Sequence, residues 1–320
     1  MQTIIGQDIA VAASLLRKDA LVAIPTETVY GLAGNALHEA AVVAIYEAKN
    51  RPKFNPLILH VADIADIETY AFVDAVSRQL AQAFMPGPFT LLLRKKEIVP
   101  ELVTAGSDKV AIRIPAHEVS RELLRRVGFP LAAPSANPFG YVSPTTATHV
   151  LQGLNGKIPY ILDGGPCQVG VESSIAEVSG DKVILHRAGG ISAEMITAVT
   201  GLPVVTGVHT ATPSTPGQLK SHYATRIPLY KGDVPALMKQ FPDKRMAVIS
   251  FTRSYHVATG SHLFKLSPAG NISEAAQKLF ATMRRIDEMD VDLILAEDFP
   301  DTGIGQAIND RLNRAQAIHK

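Results

Sequence analysis

A single cysteine, Cys167, in a chain of 320 residues excludes an intramolecular disulfide framework and every multi-cysteine metal site. Charge of one sign is also missing. Lys plus Arg number 31 against 30 acidic residues, a net charge of +1, so no global field draws the chain to nucleic acid, and any such contact must come from a local patch. No apolar run approaches the length of a bilayer crossing. The N-terminal stretch MQTIIGQDIAVAASLLRKD has no basic leading region and carries an acidic residue in its apolar part, so it is not read as a signal peptide. A reducing cytoplasm fits these absences. Also absent are a GxGxxG opening a helix, a GxxxxGKS/T phosphate loop, HExxH and GxSxG, which removes the standard nucleotide and hydrolase motifs. His60, His149 and His186 lack ligand spacing, and Cys167, after Gly164-Gly165-Pro166, reads as structural.

What is present is an ordinary globular composition, 47% apolar and 19% charged, at a length that suits two domains. The most unusual stretch is Lys49 to His60, KNRPKFNPLILH, which sets Lys49, Arg51, Lys53 and His60 around two prolines. Pro52 and Pro56 stiffen it and push Arg51 and Asn55 toward extended geometry. A point charge beside a planar fork suits phosphate or carboxylate oxygens. The alternative is a solvated loop at a helix C-terminus, where cations are favoured anyway.

Along the chain, an amphipathic helix (Ile9, Ala12, Ala13, Leu16) leads to a strand, LVAIP, whose tip is TETVYGLAGNA, Thr26 to Ala36. Strand tips of open α/β sheets are where ligands bind. A helix carrying Ala41, Val42, Ile45 and Ala48 delivers Lys49, and Leu57 to Val61 is the next strand. VAIRIP places Arg113 alone in an apolar strand, where a buried cation needs an anion: a ligand, or a glutamate elsewhere in the chain. PLAAPSANPFGYVSPTTATHV ends a strand in Ser135 and Asn137, and Ser143 with Pro144 reads as the N-cap and first turn of the following helix. VESSIAEV opens a strand with Ser173, and KVILHRAGGIS closes the unit with Arg187 and two glycines. Residues 207–226 lack apolar periodicity and read as a linker. Beyond them, strands and helices alternate in a small α/β domain.

PTETVYGLAGNA, the helix into KNRPKFNPL, MPGPFTLLL, VAIRIP, APSANPFGYVSPT, LDGG with VESSI, and HRAGGIS resemble the YrdC-like family in order and spacing. The PGQLKSHYA linker and the GIGQAINDRLNRA ending are similar to the two-domain threonylcarbamoyl-AMP synthases. The resemblance implies an open, twisted mixed sheet with helices around a concave face over residues 1–206. It implies a linker or lid over 207–226 and a smaller Rossmann-like α/β accessory domain over 227–320. The implied reaction joins L-threonine, bicarbonate or CO2, and ATP into threonylcarbamoyl-adenylate and pyrophosphate, with Mg2+ on the ATP phosphates. The product feeds the tRNA threonylcarbamoyl transferase machinery. Carried over residue by residue, Lys49, Arg51, Lys53, Ser135, Asn137, Ser143, Arg187 and Tyr223 would hold ATP, with Lys49 and Arg51 acting on the reacting phosphates. Thr26, His60, Arg113 and Ser173 would hold threonine. Two other readings compete. A carbamoyl transferase of the hydrogenase-maturation type would carry cysteine-rich modules, which a single cysteine opposes. A non-catalytic RNA-binding module would use the basic concave face, and even the enzyme could touch RNA weakly through that face.

Overall fold

The computed structural model describes residues 2–207 and 223–316. Eleven strands form the large mixed sheet: β1 Ile4–Gly6, β2 Val22–Ile24, β3 Gly31–Asn35, β4 Ile58–His60, β5 Phe89–Arg94, β6 Lys109–Arg113, β7 Leu131–Ala132, β8 Tyr160–Leu162, β9 Ser174–Ser179, β10 Lys182–Arg187 and β11 Val204–Thr206. Their order across the sheet is β1-β8-β2-β3-β7-β4-β6-β5-β9-β10-β11. A second sheet of β12 Leu229–Lys231, β13 Met246–Ser250, β14 His262–Lys265 and β15 Leu293–Ala296 runs β12-β15-β13-β14 with every pair parallel. Such sheets need cover on both faces, and the two central strands are accordingly apolar and buried, MAVIS in β13 and LILA in β15.

Sequence reading missed β3. Its GLAGN composition is poor in strand formers, yet all five residues are buried and pair with β2 through Val22↔Ala33, so tertiary pairing overrides propensity. The strand turns the Thr26–Tyr30 tip back over the sheet.

The helix Glu39–Lys49 buries Ala41, Val42, Ile45 and Tyr46, and helical periodicity puts Lys49 on that same face. Asn50, at φ 52°, ends the helix in the left-handed conformation, and the Arg51 amide returns to the Tyr46 carbonyl at 2.8 Å. Helix geometry thus drives a lysine and the next arginine inward together.

The helix after the Ser-x-Asn loop corrects one expectation. It spans Ala147–Leu154 and is capped by Thr146, whose hydroxyl accepts from the His149 amide at 3.2 Å; Ser143 is not its cap. The carbonyls of Pro144 and Thr145 accept from Tyr30 and Cys167 amides at 2.9 and 3.0 Å, which holds this stretch extended and delays the helix.

Each sheet has apolar clusters of its own, and a further cluster is shared between them. One apolar cluster joins Val29, Val142, Val171 and Tyr223 to Leu279, Phe280, Met283 and Ile308 of the C-terminal helices. Gly170, at φ 77°, lies against the helix Ile272–Ile286 so closely that an added Cβ would sit 2.4 Å from the Gln277 Cα. No described helix is long and apolar enough to cross a membrane.

Candidate active site

The cavity floor is a row across the sheet. Register pairs His60 of β4 with Arg113 of β6, and Arg113 with Thr90 of β5. β4 and β6 are parallel, so His60 and Arg113 stand together at their C-terminal ends, where open α/β sheets present ligand groups. The same cavity is lined by Thr26, Arg51, Ser135, Arg187 and Tyr223. Seven of the twelve residues expected from sequence therefore share one wall. Among the others, Lys49 donates to the carbonyls of Ser135 and Asn137, and Ser173 bonds the cavity residue Arg187. Ser143 donates to Glu172, another lining residue, at 2.6 Å. Lys53 is the exception: it is exposed and does not line the cavity.

The cations are buried. Lys49 is 1% exposed, Arg113 4%, and Arg51 and Arg187 7% each. Among the described residues Arg51 reaches neutral acceptors, the carbonyls of Asn55 at 3.2 Å and Pro56 at 2.9 Å. Neither Lys49 nor Arg51 has a carboxylate partner among the described residues. Burial, with Arg51 alongside, pulls the Lys49 ammonium well below its ordinary pKa. Burial brings Arg51 down to about 10. Charges left in low dielectric without a counter-ion are costly, and an arriving anion would relieve that cost. The solvated-loop alternative for Lys49 and Arg51 is thereby set aside.

Arg113 is different, and here the internal alternative holds. Its Nη2 donates to Glu27 Oε1 at 2.6 Å and its Nε to the Gly87 carbonyl at 3.3 Å. Glu27 also accepts from the Ala116 amide at 3.0 Å. The arginine's need for an anion is met from the Thr26–Tyr30 tip, so its isolation in an apolar strand does not by itself point to a ligand. Nη1 has no hydrogen-bond partner among the described residues, and the side chain still borders the cavity. Beside it, burial and then the Arg113 charge pull His60 down to about 3, so the imidazole is neutral in the physiological range. The Thr26 hydroxyl donates to the Val29 carbonyl at 2.6 Å, fixing the turn.

Arg187 donates from Nε to the Ser173 carbonyl at 2.9 Å and from Nη2 to its hydroxyl at 3.1 Å, while Ser173 meets Thr90 at 2.7 Å. Gly189 makes this contact feasible, since an added Cβ would lie 2.3 Å from the Ser174 amide nitrogen. Tyr223 is 1% exposed and stacks on Phe280 at 5.3 Å. It brings the linker's far end into the wall; residues 208–222 of the expected lid lie outside the described residues. Sequence reading missed Glu27 and Glu172. Glu172 is buried and would be raised by that burial, but Arg311, Arg187 and the Ser143 hydroxyl outweigh it and hold the carboxyl at about 2. A carboxylate directly before the Ser173-Ser174 pair was the available signal.

Residues 14–189 match the family described as telomere recombination, which groups Sua5, YciO and YrdC proteins. Residues 191–317 match the threonylcarbamoyl-AMP synthase C-terminal domain. The threonylcarbamoyl-AMP synthase of Bacillus subtilis is 41% identical over 96% of this chain and 92% of its own length. The chain belongs to the threonylcarbamoyl-AMP synthase family. The family's Pyrococcus abyssi member is 40% identical over 96% of this chain and 93% of its own. A crystal structure of P. abyssi Sua5 complexed with L-threonine superposes with a TM-score of 0.91, at 37% identity, covering 99% of this chain and 98% of that one. Family membership thus extends over both sheets, and the small parallel sheet is part of the shared architecture.

Proposed function

We propose that this chain is an L-threonylcarbamoyladenylate synthase. It condenses L-threonine, bicarbonate or CO2, and ATP, and hands the product to the tRNA threonylcarbamoyl transferase machinery in the cytoplasm. The observation that carries the reading is the pair of buried cations, Lys49 and Arg51, whose hydrogen-bond partners among the described residues are all carbonyls. They sit beside a second set, Thr26, His60 and Arg113, suited to a small amino acid. The cations' burial also disfavours the RNA-binding module, because a polymer backbone cannot reach groups 1–7% exposed.

Threonine's amine takes up CO2 as a carbamate, and a carbamate oxygen then attacks the α-phosphorus, releasing pyrophosphate. No enzyme nucleophile is required, in keeping with a Cys167 thiol that burial pushes up to about 12. Arg51 and Lys49 would neutralise the phosphate oxygens and the leaving pyrophosphate, so positioning and preorganised charge carry the rate. His60, neutral, would leave the threonine carboxylate to Arg113.

No group of three His, Cys, Asp or Glu side chains among the described residues could hold a metal by itself. Asn137 Oδ1, buried and without a hydrogen-bond partner among the described residues, is a hard oxygen of the kind Mg2+ accepts alongside phosphates. Mg2+ would thus arrive with ATP and supply charge neutralisation there.

Mass spectrometry of the product formed with labelled bicarbonate tests the assignment. Label retained in threonylcarbamoyl-AMP is expected; unlabelled threonyl-AMP, or AMP alone, would overturn it. A methyl-sized pocket should favour threonine over serine by about tenfold to a few hundredfold.

A further inference from the structure

The helix Ile304–Gln316 carries Arg311, which is fully buried although it lies at the seam between the two sheets' domains. Its Nε donates to Glu172 Oε2 at 3.1 Å and its Nη1 to the Ala188 carbonyl at 2.7 Å. Its guanidinium carbon stands 5.6 Å from the centre of the Tyr223 ring. Glu172 accepts from Ser143 through its other oxygen, at 2.6 Å. Ala188 follows Arg187 in the chain, and Glu172 precedes Ser173. One side chain from the C-terminal domain therefore touches, or stands one residue from, Ser143, Arg187 and Tyr223.

Those three nucleotide-type residues lie far apart in sequence and, besides the bonds of Arg187 and Ser143 within the large sheet's domain, share one contact side chain from the C-terminal domain. By contrast, Thr26, His60 and Arg113 are held by bonds inside the large sheet's domain. Arg284 braces the same wall from the helix Ile272–Ile286, donating to the carbonyls of Ser143 and His149 at 3.3 Å each. Arg284 meets backbone carbonyls and stands 4.8 Å from the centre of the Tyr141 ring, whereas Arg311 meets a cavity carboxylate.

Taking the cavity as the ATP site proposed above, we propose that Arg311 is a positioning residue for the nucleotide. It holds Glu172, and through it Ser143, and fixes the end of β10 at Arg187–Ala188, so that docking of the C-terminal domain sets ATP affinity while leaving threonine affinity alone.

Calorimetric titration of the full-length protein with ATP plus Mg2+, and separately with L-threonine, tests this. Arg311→Met should raise the ATP Kd about tenfold or more, as expected when a charge-assisted brace is lost, and change the threonine Kd by less than about threefold. Because Arg311→Met strands the buried Glu172 carboxylate and could impair folding, Arg311→Met with Glu172→Gln is the companion variant. It removes the stranded charge while an amide oxygen can still accept from Ser143. This double variant should fold and still bind ATP weakly, and Arg311→Lys should fall between it and the wild type. A merely structural role predicts a lower melting temperature with unchanged Kd in the folded protein. An ATP Kd within about threefold of wild type in a folded variant, or equal weakening of both ligands, would sink the proposal. Failure of the wild type itself to bind ATP would instead remove the reading of the cavity, and the proposal with it.

Discussion

Replacing Arg51 by methionine should separate stability from function. In the ligand-free protein the side chain serves two carbonyls, of Asn55 and Pro56. The Asn55 carbonyl also accepts from the Tyr46 hydroxyl at 3.2 Å and keeps that donor, so the Pro56 carbonyl is the one left without a side-chain donor among the described residues. An acceptor left unsatisfied costs about 1–3 kcal/mol. Against it stands relief from burying a cation that has no carboxylate partner among the described residues, since replacing even a paired buried charge by apolar groups is often neutral or stabilising by about 1–4 kcal/mol. The two offset, and the unliganded melting temperature should hardly move. ATP binding should suffer. At ATP one hundred times Kd, a ligand adds about 2.7 kcal/mol of stability. Loss of one charged donor, about 2 kcal/mol, raises Kd about thirtyfold and leaves about 0.9 kcal/mol of that gain. With an unfolding entropy of about 2.1 cal/mol/K per residue over 320 residues, the ATP-induced shift should shrink from about 4 °C to about 1.3 °C. Differential scanning calorimetry with and without ATP and Mg2+ reads both quantities. A strongly destabilised ligand-free variant that keeps the full ATP shift would show that Arg51 is a structural residue.

Further outcomes follow from the same site. Arg113→Met should weaken threonine binding more than ATP binding and destabilise the fold by roughly 3–5 kcal/mol, because Glu27 is left buried and unpaired; Glu27→Gln in the same chain should recover most of the stability but not the threonine affinity, as denaturant titration and calorimetry can show. His60 is pulled from 6.5 down to about 3, so the unfolded chain binds its proton first. Stability is then fully present above pH 6.5 and is lost as pH falls toward 3, at roughly 1.4 kcal/mol per pH unit from this residue. Urea melts at several pH values should show a shallower acid slope in His60→Gln, and an unchanged slope would reassign the effect to other groups. Gly170→Val forces a side chain against the Gln277 backbone from a left-handed position and should loosen the C-terminal domain, read as new protease cleavage near residues 223–227; an unaltered digest would contradict the close packing.

Much of this site was legible in sequence because its groups sit at ends of strongly patterned elements. The helical spacing of Ala41, Val42 and Ile45 carries Lys49 to its terminus, and VAIRIP is a strand by composition alone. What escaped was the pairing between distant segments. Nothing local to VAIRIP says that its arginine meets Glu27, 86 positions away. Nor does NDRLNRA announce that Arg311 crosses to Glu172, 139 positions earlier. Ser143 was misread for the same reason: Ser-Pro is a sound local cap signal, but long-range bonds from Tyr30 and Cys167 amides keep the following residues extended. β3 was lost because GLAGN has no local strand preference and becomes a strand only through its neighbours.

Whether one cavity joins a nucleotide, an amino acid and a one-carbon unit is read from pyrophosphate release with each substrate omitted in turn. Release is expected only when ATP, L-threonine and bicarbonate are all present, with background alone when any one is missing. Equal release with serine, or with no amino acid, would contradict it.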